Sequence, residues 1–289
     1  MATIAVEQRQ YRTYLLHNQA GDSRLEVVPE RGGIITRWQV QGQDLLYLDA
    51  ERFTHPELTV RGGIPILFPI CGNLPDNTYT HQGQSYSLKQ HGFARDLPWN
   101  VVDQTTHDRL SLTLELSSTP QTQTVYPFDF HLAFTYILHA NTLTLHQRYT
   151  NQSDVSMPFA IGFHPYFQVQ DKSTLQFQIP ATELLDQRTK TTHPYASRFD
   201  LEQDEIDVAF TELSSQVASV TDLQRSLRLT LQSSPAFSTL VFWTVKGKDF
   251  YCLEPWTAPR NALNTGERLI HLPPGASLET HVTCTVDFI

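Results

Sequence analysis

Cysteine is scarce in this 289-residue chain: Cys71, Cys252 and Cys284 are odd in number and far apart. That spacing excludes a disulfide framework and a CxxC metal knuckle, and three reduced thiols suit a reducing compartment. Basic runs are missing too. No stretch of lysine and arginine exceeds a pair and the formal net charge is −9, so no nucleic-acid groove is expected. Apolar runs are short. The segment from Ile64 to Cys71, broken by Pro65 and Pro69, falls well below the roughly 20 residues that cross a bilayer, so no membrane partner is expected. The opening MATIAVEQRQYR has no basic region followed by an apolar one, which gives a cytoplasmic address as the expectation. Also absent are a GxGxxG turn, a P-loop, a GxSxG elbow, an HExxH helix and, among 12 histidines, any HxH pair. The expectation is therefore no cofactor and no metal.

Long amphipathic helices are lacking as well, and strands take their place. From Phe128 the even positions read Phe128, Phe130, Leu132, Phe134, Tyr136 and Leu138, alternating with Asp129, His131, Ala133 and Thr135. Period two marks a strand with one buried face. After a turn at His139-Ala140-Asn141, Leu143 and Leu145 alternate with Thr142, Thr144 and His146, which predicts an antiparallel hairpin. Similar runs occupy 109–116, 226–231, 240–245 and 278–286. Short helical patterns are read at 181–187 and 201–210. With 40% hydrophobic and 11% aromatic residues there is ample core material. Turn residues recur at Gly32-Gly33, Leu74 to Asn77, Lys246 to Lys248 and Pro273 to Gly275, and no linker divides the chain. The expected fold is all-β, a sandwich or barrel of antiparallel sheets, in one domain over 1–289.

Four segments concentrate polar side chains among prolines, glycines and aromatics: RGGIPILFPICGN from Arg61, QHGFARDLPW from Gln90, GFHPYF from Gly162 and YCLEPW from Tyr251. Gly62 and Gly63 allow close backbone approach beside Arg61, which could otherwise be a solvent-facing edge residue. His91 and Arg95 could belong to an ordinary bulge with a surface charge, Arg95 pairing with Asp96. His164 could be a core histidine bonded to a carbonyl. Glu254 resists the bland reading best: flanked by Leu253 and Trp256, a buried carboxyl must be paired or protonated, and an apolar setting beside an indole raises its pKa. Together an imidazole, a carboxyl, two guanidiniums and aromatic faces make the inventory of a sugar pocket with acid/base chemistry.

In their order and spacing these segments, with DVAF at Asp207 to Phe210, LEVVPERGGIITRWQVQGQDLLYLD near the start and TGERLIHLPPGASLET near the end, resemble the aldose 1-epimerase, or galactose mutarotase-like, superfamily. The resemblance implies a β-supersandwich of large twisted antiparallel sheets and a cofactor-free interconversion of the α and β anomers of an aldose. By position it implies that His164 is the general acid toward the ring oxygen and Glu254 the general base on the C1 hydroxyl. It further implies that His91, Arg61 and Asp207 contact the sugar and that Arg95 flanks the cleft. The RGGIPILFP segment departs from the GxxxGRxxNR-like segment of galactose mutarotases and resembles the branches that include hexose-6-phosphate mutarotases. The partner is thus a sugar or sugar phosphate, acted on by a monomer or homodimer. With only Arg61 and Arg95 in those segments and no lysine, a neutral aldose is favoured over a 6-phosphate. A non-catalytic sugar-binding module and a glycoside-cleaving enzyme using Glu254 with Asp207 are the other readings.

Overall fold

The predicted hairpin stands at the centre of the molecule. The computed structural model describes residues 2–107 and 109–289. In it strands Phe130–His139 and Thr142–Asn151 pair antiparallel from His139 opposite Thr142 to Phe130 opposite Asn151. Phe130, Leu132, Phe134, Tyr136 and Leu138 are all buried on one face, as the period-two pattern requires. The hairpin belongs to an eight-stranded antiparallel sheet. From one edge the order is Leu175–Gln178, Val217–Asp222, Leu227–Ser233, Ser277–Phe288, Thr142–Asn151, Phe130–His139, Leu110–Ser117 and Asn100–Thr105. The runs expected at 109–116, 226–231 and 278–286 are three of these strands.

A second sheet carries the site. Its order is Thr191–Pro194, Glu183–Asp186, Glu205–Phe210, Thr239–Val245, Phe250–Trp256, Gly162–Phe163 and Ile66–Leu67, with Tyr166–Gln168 also paired to Phe250–Trp256. One face packs on the eight-stranded sheet, with Phe134 against Phe163 at 6.0 Å and Phe177 against Phe242 at 5.1 Å between ring centroids. A third sheet of five strands, a meander from Ala2–Gln8 to Gln43–Asp44, adds Leu16, Leu25, Val27 and Trp38 to the same core.

Two expectations are corrected here. The helical patterns read at 181–187 and 201–210 are strands, Glu183–Asp186 and Glu205–Phe210. In the second, Ile206, Val208 and Phe210 point to the core while Glu205 and Asp207 point away, and this alternation of β-branched and aromatic residues with charged ones outweighs the looser helical spacing. The described helices are short, the α-helical ones spanning Ala50–Thr54, Pro120–Gln123 and Ala262–Thr265, and no described helix is long and apolar enough to cross a membrane.

Candidate active site

The Phe250–Trp256 strand is buried on both faces. Tyr251 and Leu253 enter the main core, whereas Phe250, Cys252, Glu254 and Trp256 face the opposite side. On the neighbouring chain segment Gly162 pairs with Trp256 and Tyr166 with Cys252, so the register puts His164 across from Glu254. Pro165 interrupts the ladder there. The His164 backbone N–H instead donates to the carbonyl of Pro65 at 3.1 Å, which fixes the backbone while the ring projects into the cleft. Tyr166 stacks on the imidazole at 4.6 Å and Trp243 meets it edge-on at 5.7 Å.

The imidazole Nε2 lies 3.3 Å from Glu254 Oε1, and Glu254 is only 1% exposed. Trp256 Nε1–H donates to the other carboxyl oxygen at 3.2 Å. Burial pushes the Glu254 carboxyl well above its ordinary range, reinforced by Asp207 and opposed by Arg260. Burial, aided by Arg95, lowers the His164 imidazole to about 3. Both directions favour the uncharged arrangement, with a proton on the carboxyl and a neutral ring. The pair thus holds one proton between two oppositely perturbed groups.

His91 enters from the loop before Ala94–Asp96. Its backbone takes φ +67, its N–H donates to the Gly72 carbonyl at 2.7 Å, and its Nδ1 accepts from the Gly72 N–H at 3.1 Å. An accepting Nδ1 requires the proton on Nε2, so the neutral ring is a hydrogen-bond donor at that nitrogen. The ring lies 5.5 Å from His164 and 5.6 Å from Trp256.

A cleft of about 320 Å³ brings together all six residues singled out in the sequence, His164, Glu254, His91, Arg61, Arg95 and Asp207. Arg95 makes no ion pair among the described residues, contrary to the pairing with Asp96 that its surface reading supposed. Its guanidinium donates to the Gln90 carbonyl at 2.7 Å and leaves a buried Nε without a partner. Arg61 is exposed at the rim, its guanidinium 5.9 Å from the Trp243 ring centroid. Behind it, buried Arg31 donates to the carbonyls of His55, Pro56 and Leu58 and fixes the loop that leads to Arg61.

The sequence reading missed Arg260, Arg52 and Trp243, which also line the cleft. Arg260 grips both oxygens of Asp207 at 2.8 and 3.1 Å, reaches Gln187 and Asn73, and lies 5.8 Å from the Trp256 ring centroid. Asp207 also accepts from Gln187 Nε2 at 2.7 Å. The available signal was WTAPR, an arginine four residues beyond Trp256 in another proline- and aromatic-rich stretch.

The profile of the family described as aldose 1-epimerase matches residues 13–285. The chain is 47% identical to the Slr1438 protein of Synechocystis sp. PCC 6803 over the whole of both chains, and the folds superpose with a TM-score of 0.96. A galactose mutarotase-like protein from Clostridium acetobutylicum, 18% identical, shares the fold over 100% of this chain and 99% of its own, with a TM-score of 0.84. A protein of Cenchrus ciliaris, provisionally named glucose-6-phosphate 1-epimerase, is 25% identical over 202 residues, 65% of this chain and 58% of that one.

Proposed function

This chain belongs to the aldose 1-epimerase family, and from that premise we propose that it interconverts the α and β anomers of an aldose by acid/base ring opening in the cleft. The observation that carries the reading is the buried His164–Glu254 pair, 3.3 Å apart at the cleft wall. Opening a pyranose removes the proton of O1 while O5 receives one, so two groups must act on two oxygens borne by one carbon. As the sugar hydroxyls enter, the shared proton passes from the Glu254 carboxyl to the His164 ring; in that form Glu254 as carboxylate takes the O1 proton and His164 as imidazolium gives one to O5. The C1–O5 bond breaks and C1 becomes an aldehyde carbon. Rotation about C1–C2 presents the other carbonyl face, and closure returns each proton to the group it came from. One proton on the pair suffices for the cycle, and sugar hydroxyls that enter between the two groups replace their direct contact. The His91 Nε2–H and the arginines supply donors to hydroxyls. Bidentate engagement of Asp207 by Arg260 works against the glycosidase alternative, which needs that carboxylate free. The test is anomer exchange followed by NMR or polarimetry on freshly dissolved α-glucose. Wild type is expected to accelerate exchange and Glu254→Gln to lose that acceleration; an inactive wild type would favour a binding module.

A second reading, a phosphorylated aldose, is favoured by the cationic lining. Four arginines rather than two reach the cleft, and Arg52, Arg61 and Arg95 have no carboxylate within 4.0 Å among the described residues. Guanidinium forks suit phosphate oxygens. The count that favoured a neutral aldose therefore no longer does. Arg95→Ala should lower kcat/KM for glucose 6-phosphate by about ten- to a hundredfold, the worth of one charge-assisted contact, while glucose turnover holds. Equal losses for both sugars would return the substrate to a neutral aldose.

A further inference from the structure

Acid/base ring opening uses none of the three buried thiols, Cys71, Cys252 and Cys284, and one of them shares a cluster with both members of the pair. Cys252 stands two residues before Glu254 on the same strand face, fully buried against Tyr166 and Phe250 beneath the His164 ring. A His164 ring nitrogen, the Cys252 sulfur and a Glu254 oxygen all lie within 4.8 Å of one another. Linear spacing concealed this triad, because the histidine comes from a segment about 90 residues away and joins the strand only through the sheet register.

We propose that His164, Cys252 and Glu254 form a three-donor site for a soft divalent cation, zinc or cadmium, which silences the acid/base pair when it binds. The 3.3 Å between His164 Nε2 and Glu254 Oε1 is already the separation of two ligands on a tetrahedral zinc, about 3.3 Å for bonds of about 2.0–2.1 Å. A thiolate on the same ion stands about 3.6 Å from the other donors, so closing from 4.8 Å or less asks for a shift of about 1 Å. Charge balances as well: thiolate and carboxylate neutralise the cation, and the thiol proton and the proton held by the pair leave to solvent. Nitrogen and sulfur donors select zinc or cadmium over magnesium or calcium, which prefer all-oxygen shells. His164 and Glu254 line the cleft, so a water from that side could complete a four-coordinate shell. The His164 Nδ1 is buried without a partner, so the carboxylate or carbonyl that usually braces a resident metal's histidine is missing. The ion is therefore an inhibitor rather than a cofactor. It occupies the lone pairs through which protons would move.

Binding to the triad stands on geometry alone; only the inhibition rests on the proposed epimerase reaction. Cadmium titrated into the purified protein should bind at one ion per chain and raise the ultraviolet cadmium–thiolate band. In Cys252→Ser, which retains Cys71 and Cys284, that band should vanish and affinity fall at least tenfold. Glu254→Gln, with the thiol intact, should also bind at least tenfold more weakly, which covers the case where the serine variant fails to fold. Activity as isolated should survive EDTA. Zinc should abolish it, EDTA should restore it, and Cys252→Ser should need at least tenfold more zinc for half-inhibition. No thiolate band in wild type, a band that persists in Cys252→Ser, or equal zinc sensitivity in both overturns the proposal. A band in a protein that does not exchange anomers sinks the epimerase reading instead and leaves the metal site standing.

Discussion

His164 and Glu254 have opposite proton affinities for one reason: burial penalises a charge on either, lowering the base and raising the acid. Replacing either should therefore remove proton transfer without leaving a stranded charge. His164→Ala and Glu254→Gln are each expected to lower kcat by about 10²–10⁴ with the melting temperature preserved, and the double variant to fall far short of the product. Near-normal turnover in either single variant, measured by anomer exchange, would remove the pair from the chemistry. His91 carries a stability consequence instead. In the unfolded chain its ring binds a proton below about 6.5. In the folded chain burial, with Arg95, His164 and Arg260 adding to it, holds the ring neutral well below that value. Between the two the unfolded state binds more protons, so this contribution to stability is full above about pH 6.5 and declines as the pH falls through that window. Asparagine suits the left-handed backbone at position 91 and can accept the Gly72 N–H. His91→Asn should thus lose less melting temperature than wild type between about pH 7.5 and 5.5. Equal losses would mean that the His91 ring is not what the acid limb reports.

The loop that presents His91 and Arg95 is held at one glycine. Gly92 has φ +70, and a Cβ there would stand 2.2 Å from the Phe68 carbonyl oxygen, backbone that cannot yield as a flexible side chain could. Gly92→Ala should destabilise the protein by more than about 1 kcal/mol and raise KM as both side chains leave their positions. Denaturant unfolding and steady-state kinetics would test it; a variant of wild-type stability and KM would mean that the loop tolerates displacement. Elements differed in how far the sequence disclosed them. The run from Phe128 to Leu145 alternates so strictly that strand, turn and pairing partner could all be read. At 201–210 turn residues blur the start of the pattern, and pairing of Glu205–Phe210 with Thr239–Val245 on one side and Glu183–Asp186 on the other joins the alternation in deciding for strand. The site was legible where a short motif carries its own neighbours, as in GFHPYF and LEPW. It was illegible where the candidate site is completed by long-range contacts: Arg260 meets Asp207 across 53 positions, and no local period encodes that.

At the scale of the molecule, one continuous buried cluster runs from Tyr14 to Val286 through all three large sheets. The chain is accordingly expected to unfold as one domain. Far-ultraviolet circular dichroism and indole fluorescence should report coincident transitions, and two separated transitions would divide the chain instead. The strand order carries a consequence for biosynthesis. Ser277–Phe288, later in the chain than every other described strand, lies inside the eight-stranded sheet between Leu227–Ser233 and Thr142–Asn151. Until it emerges from the ribosome, the two halves of that sheet have no strand to join them and each exposes an unpaired edge. The sheet that backs the candidate site can therefore close only after translation has passed residue 288, and a nascent chain stalled before residue 277 should remain open to protease along both edges.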